Sequence, residues 1–427
     1  MSGEETASRP CPVYRKEETV TLELTQIAPQ VKAMGQNIAS QKSERQALIE
    51  QAKALLKKYS TAFDELDEKV AKAERVQEAA RFNWVGAAPA GEALAESFAP
   101  PLPPPRATVI ASDGSQIHPD RHGIALYYLI NIGVIAYRHG SGQRPDTHTE
   151  PQLFYKDEDL FINERGLLIP SGVVNVKRDL AELEMLARLA PAYRSPALSE
   201  VEGGDAPLLT LIDGRLTLRV IDLPASQQEH YQRLYLDRLN QLQQHNALIA
   251  AYIERPHSSF ILSLLHLASL EKQQISEESL RSAPFGSLSD SDLFDDLEPG
   301  QRTAIFNQRA KANAAYASEG HPIYFFHLNT GAVAQPNIVR VEIPGWIARN
   351  PEKLNALHAI LLQQTAITGG YPYVLARAHE LAIISAEERE ALDAMMAVTL
   401  HHQGMRAEVS LKQANKNALG SREAFKL

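Results

Sequence analysis

Two aspartates at the ends of predicted strands are the residues of this sequence best suited to chemistry. Asp113 follows a short β-branched run at residues 108–111, and Asp213 follows an apolar run at residues 208–212. Each aspartate precedes a glycine, which predicts a tight turn where the backbone can approach a ligand closely. Carboxylates at such strand tips suit a metal ion, but an Asp-Gly pair also predicts an ordinary turn that closes a hairpin.

A predicted helix at residues 176–190, between the two aspartates, supplies a third acid. It carries Glu182 and Glu184, which lie on different faces of the helix, so both are candidates. Two divalent ions held about 4 Å apart by shared carboxylates can activate a water and stabilise the leaving oxygen of a phosphodiester. Hard oxygen ligands suit Mg²⁺ or Mn²⁺. The acids therefore predict a site for divalent metal ions.

The order of the predicted elements places these acids at one sheet. Three early antiparallel strands precede alternating helices and strands, an order that resembles the ribonuclease-H-like metal nucleases. We therefore predict an α/β fold with a ribonuclease-H-like mixed sheet and flanking helices. The predicted strands cover residues 108–111, 123–137, 152–155, 208–212, 248–253, 322–328 and 337–343, and the predicted helices cover residues 176–190, 226–244, 260–270, 351–367 and 386–401, with a further helix that bears His379.

The first 84 residues predict a separate arm. Apolar and small residues recur at coiled-coil spacing, first at Leu24, Ile27, Val31, Met34 and Ile38, and then at Ile49, Ala52, Leu56, Tyr59, Phe63, Leu66, Val70 and Ala73. The eleven-residue step from Ile38 to Ile49 is a stutter that locally unwinds a coiled coil. This pattern predicts a long helix or helical hairpin that docks a partner or a second copy. The alternative is a helix packed on its own domain.

An Ala- and Pro-rich stretch at residues 85–106 predicts a stiff spacer between this arm and a domain at residues 107–427. Within that domain, residues 277–301 are acidic and rich in Ser, and they predict a surface insertion. Leu293, Phe294 and Leu297 are the residues of this segment that could dock on the domain.

Composition sets the broad class of the protein. The chain has 427 residues, a formal net charge of −9 and one cysteine, Cys11. The single cysteine predicts no disulfide framework and a reducing, cytoplasmic location, and no window is apolar enough for a membrane span. The negative charge argues against non-specific coating of nucleic acid but allows an acidic metal site. The sequence has no phosphate-binding loop of the ATPase type, so ATP hydrolysis would come from a partner.

Three short motifs in order resemble one family. SDGSQI follows the first strand, LIDGRL follows the first helix of the domain, and GGYPYVLARAHELAII lies near the C-terminus. Together they resemble the NurA nucleases, which act in DNA end processing, from residue 107 to the C-terminus. The resemblance implies a ribonuclease-H-like fold, a homodimer, and Mn²⁺- or Mg²⁺-dependent cleavage of single- and double-stranded DNA in double-strand break repair. It also implies a hexameric HerA-type ATPase as partner.

The resemblance also implies roles for individual residues. Asp113 and Asp213 would be metal ligands, and the glutamate of an R-x-x-x-E motif that begins at Arg178, Glu182, would be the third. His379 would be the fourth member, as a metal ligand or as a general acid or base, although a histidine on an amphipathic helix is also commonly structural.

The sequence does not decide the roles of several further residues. The family uses an active-site tyrosine that the motifs do not place, with Tyr252 and Tyr324 as candidates. Basic residues in the C-terminal tail would contact phosphate or form a solvated tail, and they are Lys412, Lys416 and Arg422. The alternative function is a catalytically inactive coiled-coil scaffold or regulatory subunit on a nuclease-like fold.

Overall fold

The computed structural model of this protein describes residues 24–162, 166–194, 206–220, 223 and 225–405. Cys11 and the basic tail residues Lys412, Lys416 and Arg422 lie outside these ranges. The chain forms two compact units, Met1–Glu50 and Gln51–Leu427. In the described residues, no helix combines the length and the apolar character needed to cross a bilayer.

One sheet of eleven strands forms the centre of the second unit within the described residues. The strands are β1 (Gly86–Pro89), β2 (Ser97–Phe98), β3 (Ala107–Ile117), β4 (Tyr128–His139), β5 (Asp146–Phe154), β6 (Leu208–Asp213), β7 (Leu248–Ile253), β8 (Arg302–Thr303), β9 (Phe306–Arg309), β10 (Ile323–Asn329) and β11 (Ile338–Pro344). Their order along the sheet is β1-β9-β10-β11-β7-β6-β3-β4-β5, and the short β2 and β8 pair beside β10.

The five strands around β3 determine the fold class. β4 pairs antiparallel with both β3 and β5, whereas β6 and β7 run parallel to β3. The order β5-β4-β3-β6-β7 is therefore three antiparallel strands extended by two parallel ones, as in the ribonuclease-H-like fold. The predicted mixed sheet with flanking helices is confirmed.

The described residues form twelve α-helices. They are α1 (Leu24–Lys58), α2 (Phe63–Ala80), α3 (Asp157–Leu160), α4 (Ser171–Tyr193), α5 (Ala225–Gln244), α6 (Phe260–Ser269), α7 (Glu277–Arg281), α8 (Lys311–Ser318), α9 (Gly345–Ala348), α10 (Pro351–Thr368), α11 (Tyr373–Ala382) and α12 (Ala386–His402). α4 packs on β3 and on α5, and α11 packs on β3 and β4. The apolar side chains that the sequence assigned to the buried side of α4 are all buried, namely Leu180, Leu183, Leu186, Ala187 and Ala190.

The predicted turn after Asp113 is wrong, whereas the one after Asp213 is confirmed. β3 continues through Gly114 to Ile117, because all eleven of its residues pair with β4. β6 instead ends at Asp213, and Gly214 adopts a left-handed φ of 96° that favours glycine.

The helical N-terminal region divides into two parts. α1 ends at Lys58 and α2 begins at Phe63, so the repeat does not form one continuous helix. In α2, Leu66, Val70 and Ala73 are buried, and the helix packs on α6 and β1 of its own domain. In the first unit, the apolar stripe from Leu24 to Ile38 is largely exposed. A coiled coil in that stripe remains a prediction.

The stretch predicted as a spacer contributes to the folded domain instead. Residues 86–98 contain two short strands. Of these, β1 pairs with β9, and β2 pairs with β8. Between these strands, Glu92 accepts two hydrogen bonds of 2.8 Å from the buried guanidinium of Arg302. The prediction of a free spacer is therefore wrong for residues 86–98, because they supply sheet pairing and a charged anchor.

The predicted acidic insertion is also more than a surface segment. Leu293, Phe294 and Leu297 are buried, as their apolar character suggested. Asp290 is fully buried, and its carboxylate accepts hydrogen bonds from the amides of Phe260, Ile261 and Leu262 at distances of 2.8–3.0 Å. Because these amides are the unsatisfied donors of the first turn of α6, the insertion caps that helix.

Candidate active site

A glycine on β4 lets α11 lie directly on the sheet. Gly133 is the register partner of Asp113, so the two residues are neighbours on adjacent strands. A Cβ atom at Gly133 would lie 2.5 Å from the amide nitrogen of Ala382 and 2.6 Å from the carbonyl oxygen of Ala378. The backbone of α11 occupies the space that a side chain would need, and this close approach brings α11 to Asp113.

A second glycine allows the same approach on the opposite face. A Cβ atom at Gly114 would lie 2.6 Å from Cγ of Arg178 and 2.7 Å from Oε1 of Glu182. Side chains alternate between faces along a strand, so Gly114 opens the α4 face next to Asp113. This close approach, rather than a turn, explains the glycine after Asp113.

Asp113 and His379 form the shortest polar contact of the site. His379 Nδ1 lies 2.6 Å from Asp113 Oδ2, and the Gly114 amide donates to Asp113 Oδ1 at 2.8 Å. Because a carboxylate oxygen accepts, the tautomer of a neutral imidazole that fits this contact has its proton on Nδ1 and Nε2 as an acceptor. The His379 side chain is 64% exposed, so it is not a core histidine.

Glu182 is the most enclosed acid of the site. Its side chain is 12% exposed, and Oε1 lies 3.3 Å from Nε of Arg178. Burial raises the pKa of Glu182 well above its usual value, and the negative charges of Asp179 and both strand aspartates add to this, while Arg178 opposes it. Arg178 Nη1 donates to Gln116 Oε1 at 3.1 Å, so β3 holds the guanidinium in place.

Asp213 stands at the solvent-facing end of β6. Neighbouring atoms crowd its carboxyl, and this burial is the main cause that raises the pKa of Asp213. The negative charge of Asp113 raises it further, whereas hydrogen bonds from the Tyr371 hydroxyl and the Gly214 amide lower it. The two strand aspartates are therefore close enough to repel one another.

Tyr371 contacts one of these acids, and it is not one of the two tyrosines that the sequence offered as candidates. Its hydroxyl donates to Asp213, and burial together with that carboxylate raises the pKa of Tyr371. Tyr252 lies beside it, with ring centroids 5.4 Å apart, but its hydroxyl donates to the Gly370 carbonyl instead. Tyr324 lies on β10 and contacts Arg349. The signal for Tyr371 was its position in the GGYPYV motif directly before the His379 helix.

The structure also distinguishes the two candidate glutamates. Glu184 is 52% exposed and lies 3.6 Å from Nη2 of Arg238, on another side of α4 from the aspartates. The structure therefore brings together Asp113, Glu182, Asp213 and His379, and it adds Arg178 and Tyr371.

The chemistry of this donor set fits a hard divalent cation. Three carboxylates meet here. The negative charge of Asp113 is one of the causes that raise the pKa values of both Glu182 and Asp213. A divalent cation would relieve this repulsion. Among the described residues, no three His, Cys, Asp or Glu side chains are already arranged around a common metal position.

Comparison with known proteins assigns the family. The family model of the NurA domain matches residues 107–384. The chain belongs to the NurA family. This is a family of nucleases, and all six site residues of this NurA protein lie within the matched range.

Two solved structures are similar to this chain. The NurA nuclease from Sulfolobus solfataricus shares 13% identity at a TM-score of 0.45, over 89% of this chain and 96% of that one. The catalytic domain of human Endonuclease V shares 11% identity at a TM-score of 0.30, over 77% of this chain and 98% of that one. Comparison with curated proteins gives no significant match.

Proposed function

We propose that this NurA protein is a divalent-metal-dependent deoxyribonuclease that hydrolyses phosphodiester bonds. The observation that carries the proposal is the meeting of Asp113, Glu182 and Asp213 from three different elements, with His379 bonded to Asp113. Carboxylates that repel one another at an open sheet end are costly for folding, and a cation-dependent reaction is a physical reason to keep them.

Asp113, Asp213 and Glu182 would hold Mn²⁺ or Mg²⁺, with His379 as a further ligand or as a proton carrier. The bound ions supply Lewis-acid stabilisation of the reacting phosphate and a water of lowered pKa. Oxygen ligands favour Mg²⁺ and Mn²⁺ alike, and participation of the imidazole favours Mn²⁺.

His379 is the side chain best placed to move a proton. Asp113 orients the ring through Nδ1, so Nε2 is the ring atom that accepts a proton from an attacking water. The exposed ring can then deliver that proton to the leaving oxygen. Imidazole suits this role because its ordinary pKa lies near neutral pH.

Tyr371 and Arg178 act as positioning residues in this proposal. The raised pKa of Tyr371 keeps its hydroxyl protonated at neutral pH, so it donates to Asp213 and is neither a base nor a nucleophile. Arg178 joins Gln116 to Glu182 and fixes the acid of α4 against β3.

The wider role follows from family membership. We propose single- and double-stranded DNA as substrates, double-strand break repair as the setting, and a homodimer that works with a hexameric HerA-type ATPase. Sedimentation of the protein alone and with such an ATPase tests the two assemblies. A monomer that sediments independently of the ATPase would contradict both.

Digestion of DNA oligonucleotides with Mn²⁺ or Mg²⁺, with and without EDTA, tests the activity. Wild-type protein and Glu184→Gln should cut, because Glu184 lies outside the acid cluster, whereas Asp113→Asn should not. Full cleavage by Asp113→Asn would refute the site. Absence of cleavage by the wild type with either metal, with the ATPase present or not, would favour the inactive scaffold instead.

A further inference from the structure

The hairpin between β10 and β11 overhangs the active-site end of the sheet. β11 pairs antiparallel with β7, with Arg340 opposite Ile253, the last residue of β7. Residues 330–337 therefore extend past the end of β7. Asp213 pairs with Tyr252 near that same end, so the hairpin and the acids share one edge of the sheet.

The neck of this hairpin is held by a dense hydrogen-bond network. Asn329 is fully buried, donates to the Leu297 carbonyl at 2.7 Å, and accepts from the amides of Gly331 and Asn337 at 2.9 and 3.1 Å. The Asn337 side chain donates to the Thr330 hydroxyl at 2.9 Å. Buried and satisfied networks of this kind restrain a loop to one conformation.

The neck also contacts the segment that carries the active-site tyrosine. The Tyr252 hydroxyl donates to the Gly370 carbonyl at 2.9 Å and lies 3.5 Å from the Thr330 hydroxyl. Gly370 directly precedes Tyr371, which donates to Asp213. The hairpin is therefore coupled to Asp213 through three contacts, which join Thr330 to Tyr252, Tyr252 to Gly370, and Tyr371 to Asp213.

The tip of the hairpin presents an apolar side chain to solvent. Ala332 and Gln335 close a tight turn through two backbone hydrogen bonds of 3.2 and 3.0 Å. Val333 stands at the apex of this turn with 77% of its surface exposed. Residues 329–338 carry no charged side chain, so the tip can approach DNA without electrostatic repulsion.

Two of the three acids at this end of the sheet are recessed, whereas Asp213 at the end of β6 is exposed. The side chains of Glu182 and Asp113 are 12% and 19% exposed. A flexible single strand can bring its backbone down to such groups more readily than a stiff duplex can. Arg255, exposed in the turn after β7 and without an ion pair to any described residue, is available to hold a phosphate there.

We propose that this hairpin is a strand-separating wedge, in which Val333 stacks against the terminal base pair of a duplex DNA end. Apolar side chains are inserted at base steps by many DNA-binding proteins, and terminal pairs are the easiest to open. One separated strand then reaches the acids. The inference rests on the proposed nuclease function and deepens it by assigning the segment that opens a duplex end with paired termini.

A single apolar tip favours a base pair over a protein partner. A stable protein interface buries on the order of 1,000 Å² or more, whereas the tip offers one valine between two alanines. The rigid neck and the nearby acids suit contact with a nucleic-acid end.

Val333→Ser tests the wedge, with Leu102→Ser as the matched control because Leu102 is 95% exposed and lies outside the hairpin. Each variant is given a blunt duplex, the same sequence as a single strand, and a duplex with unpaired ends. We expect Val333→Ser to cut the blunt duplex about tenfold more slowly, a loss equal to about 1.4 kcal/mol of stacking. Cleavage of the other two substrates should be unchanged. Equal cleavage of all three substrates by Val333→Ser and the control would overturn the proposal.

A binding assay separates failure of the wedge from failure of the nuclease proposal. Fluorescence of 2-aminopurine in the terminal base pair, measured in EDTA, reports end opening without cleavage. The wild type should raise this fluorescence and Val333→Ser should not, whether or not the protein cuts DNA. Equal signals from both, or a changed sedimentation coefficient in Val333→Ser, would overturn the wedge, and the second result would assign the tip to self-association.

Discussion

Replacement of Gly133 by alanine should inactivate the site without touching any catalytic side chain. The new Cβ would lie 2.5–2.8 Å from three backbone atoms of α11, the nitrogen of Ala382, the oxygen of Ala378 and the carbonyl carbon of Leu381. Ordinary contacts are about 3.5 Å, so α11 must move away by roughly 1 Å. This would stretch the 2.6 Å bond between His379 and Asp113 beyond hydrogen-bonding range. A misplacement of roughly 1 Å can lower activity about 100-fold, and overpacking costs about 1–3 kcal/mol of stability.

The assay measures specific activity and melting temperature on the same preparations. Gly142→Ala is the control, because Gly142 has open space around it and a left-handed φ of 68° that alanine adopts only with strain. It should lose on the order of 1 kcal/mol of stability and keep its activity.

The double variant with His379→Ala gives a stricter test. If Gly133 acts through the His379 position, the double variant should be no less active than the less active of the two single variants. Full activity of folded Gly133→Ala, or losses that multiply in the double variant, would refute the reasoning.

Three further predictions follow from the geometry. Asp213→Asn should abolish cleavage and leave the melting temperature of the metal-free protein equal or higher, because it removes repulsion with Asp113. Burial raises the pKa of Asp290 to about 7 from 3.8, so the folded state binds its proton more tightly. Stability should therefore fall as pH rises from about 4 to 7, by at most roughly 4 kcal/mol, in urea titrations, and Asp290→Asn should remove that part of the slope. Deletion of residues 1–50 should leave a folded domain by circular dichroism, whereas deletion through residue 106 should cause aggregation, because it removes β1, β2 and α2.

Much of the local structure was predictable because its signals are local. The apolar run at β7 gave its exact bounds, Leu248–Ile253, and the glycine after Asp213 correctly predicted where β6 ends. Helical spacing identified the buried side of α4. The GGYP segment predicted the start of the helix that carries His379, since consecutive glycines and a proline interrupt regular structure.

The acids and their order were also present in the sequence. Asp113 and Asp213 follow apolar runs, and parallel strands in a ribonuclease-H-like order place such ends at one edge. The family motifs added Glu182 and His379. The sequence alone did not show which of these residues contact one another, because they lie far apart along the chain.

Tertiary packing decided the rest. Glu182 and Glu184 differ by about 200° around α4, and only the sheet beneath the helix determines which one faces the aspartates. Gly114 follows an aspartate, as a turn glycine often does, yet it lies inside β3. Side chains of α4 occupy the space that a side chain at this position would need. The repeat in α2 and the strands at residues 86–98 also belong to the domain, because they contact segments that are distant in sequence. The sequence by itself determined which residues could do chemistry, whereas close approach between distant segments determined which of them meet.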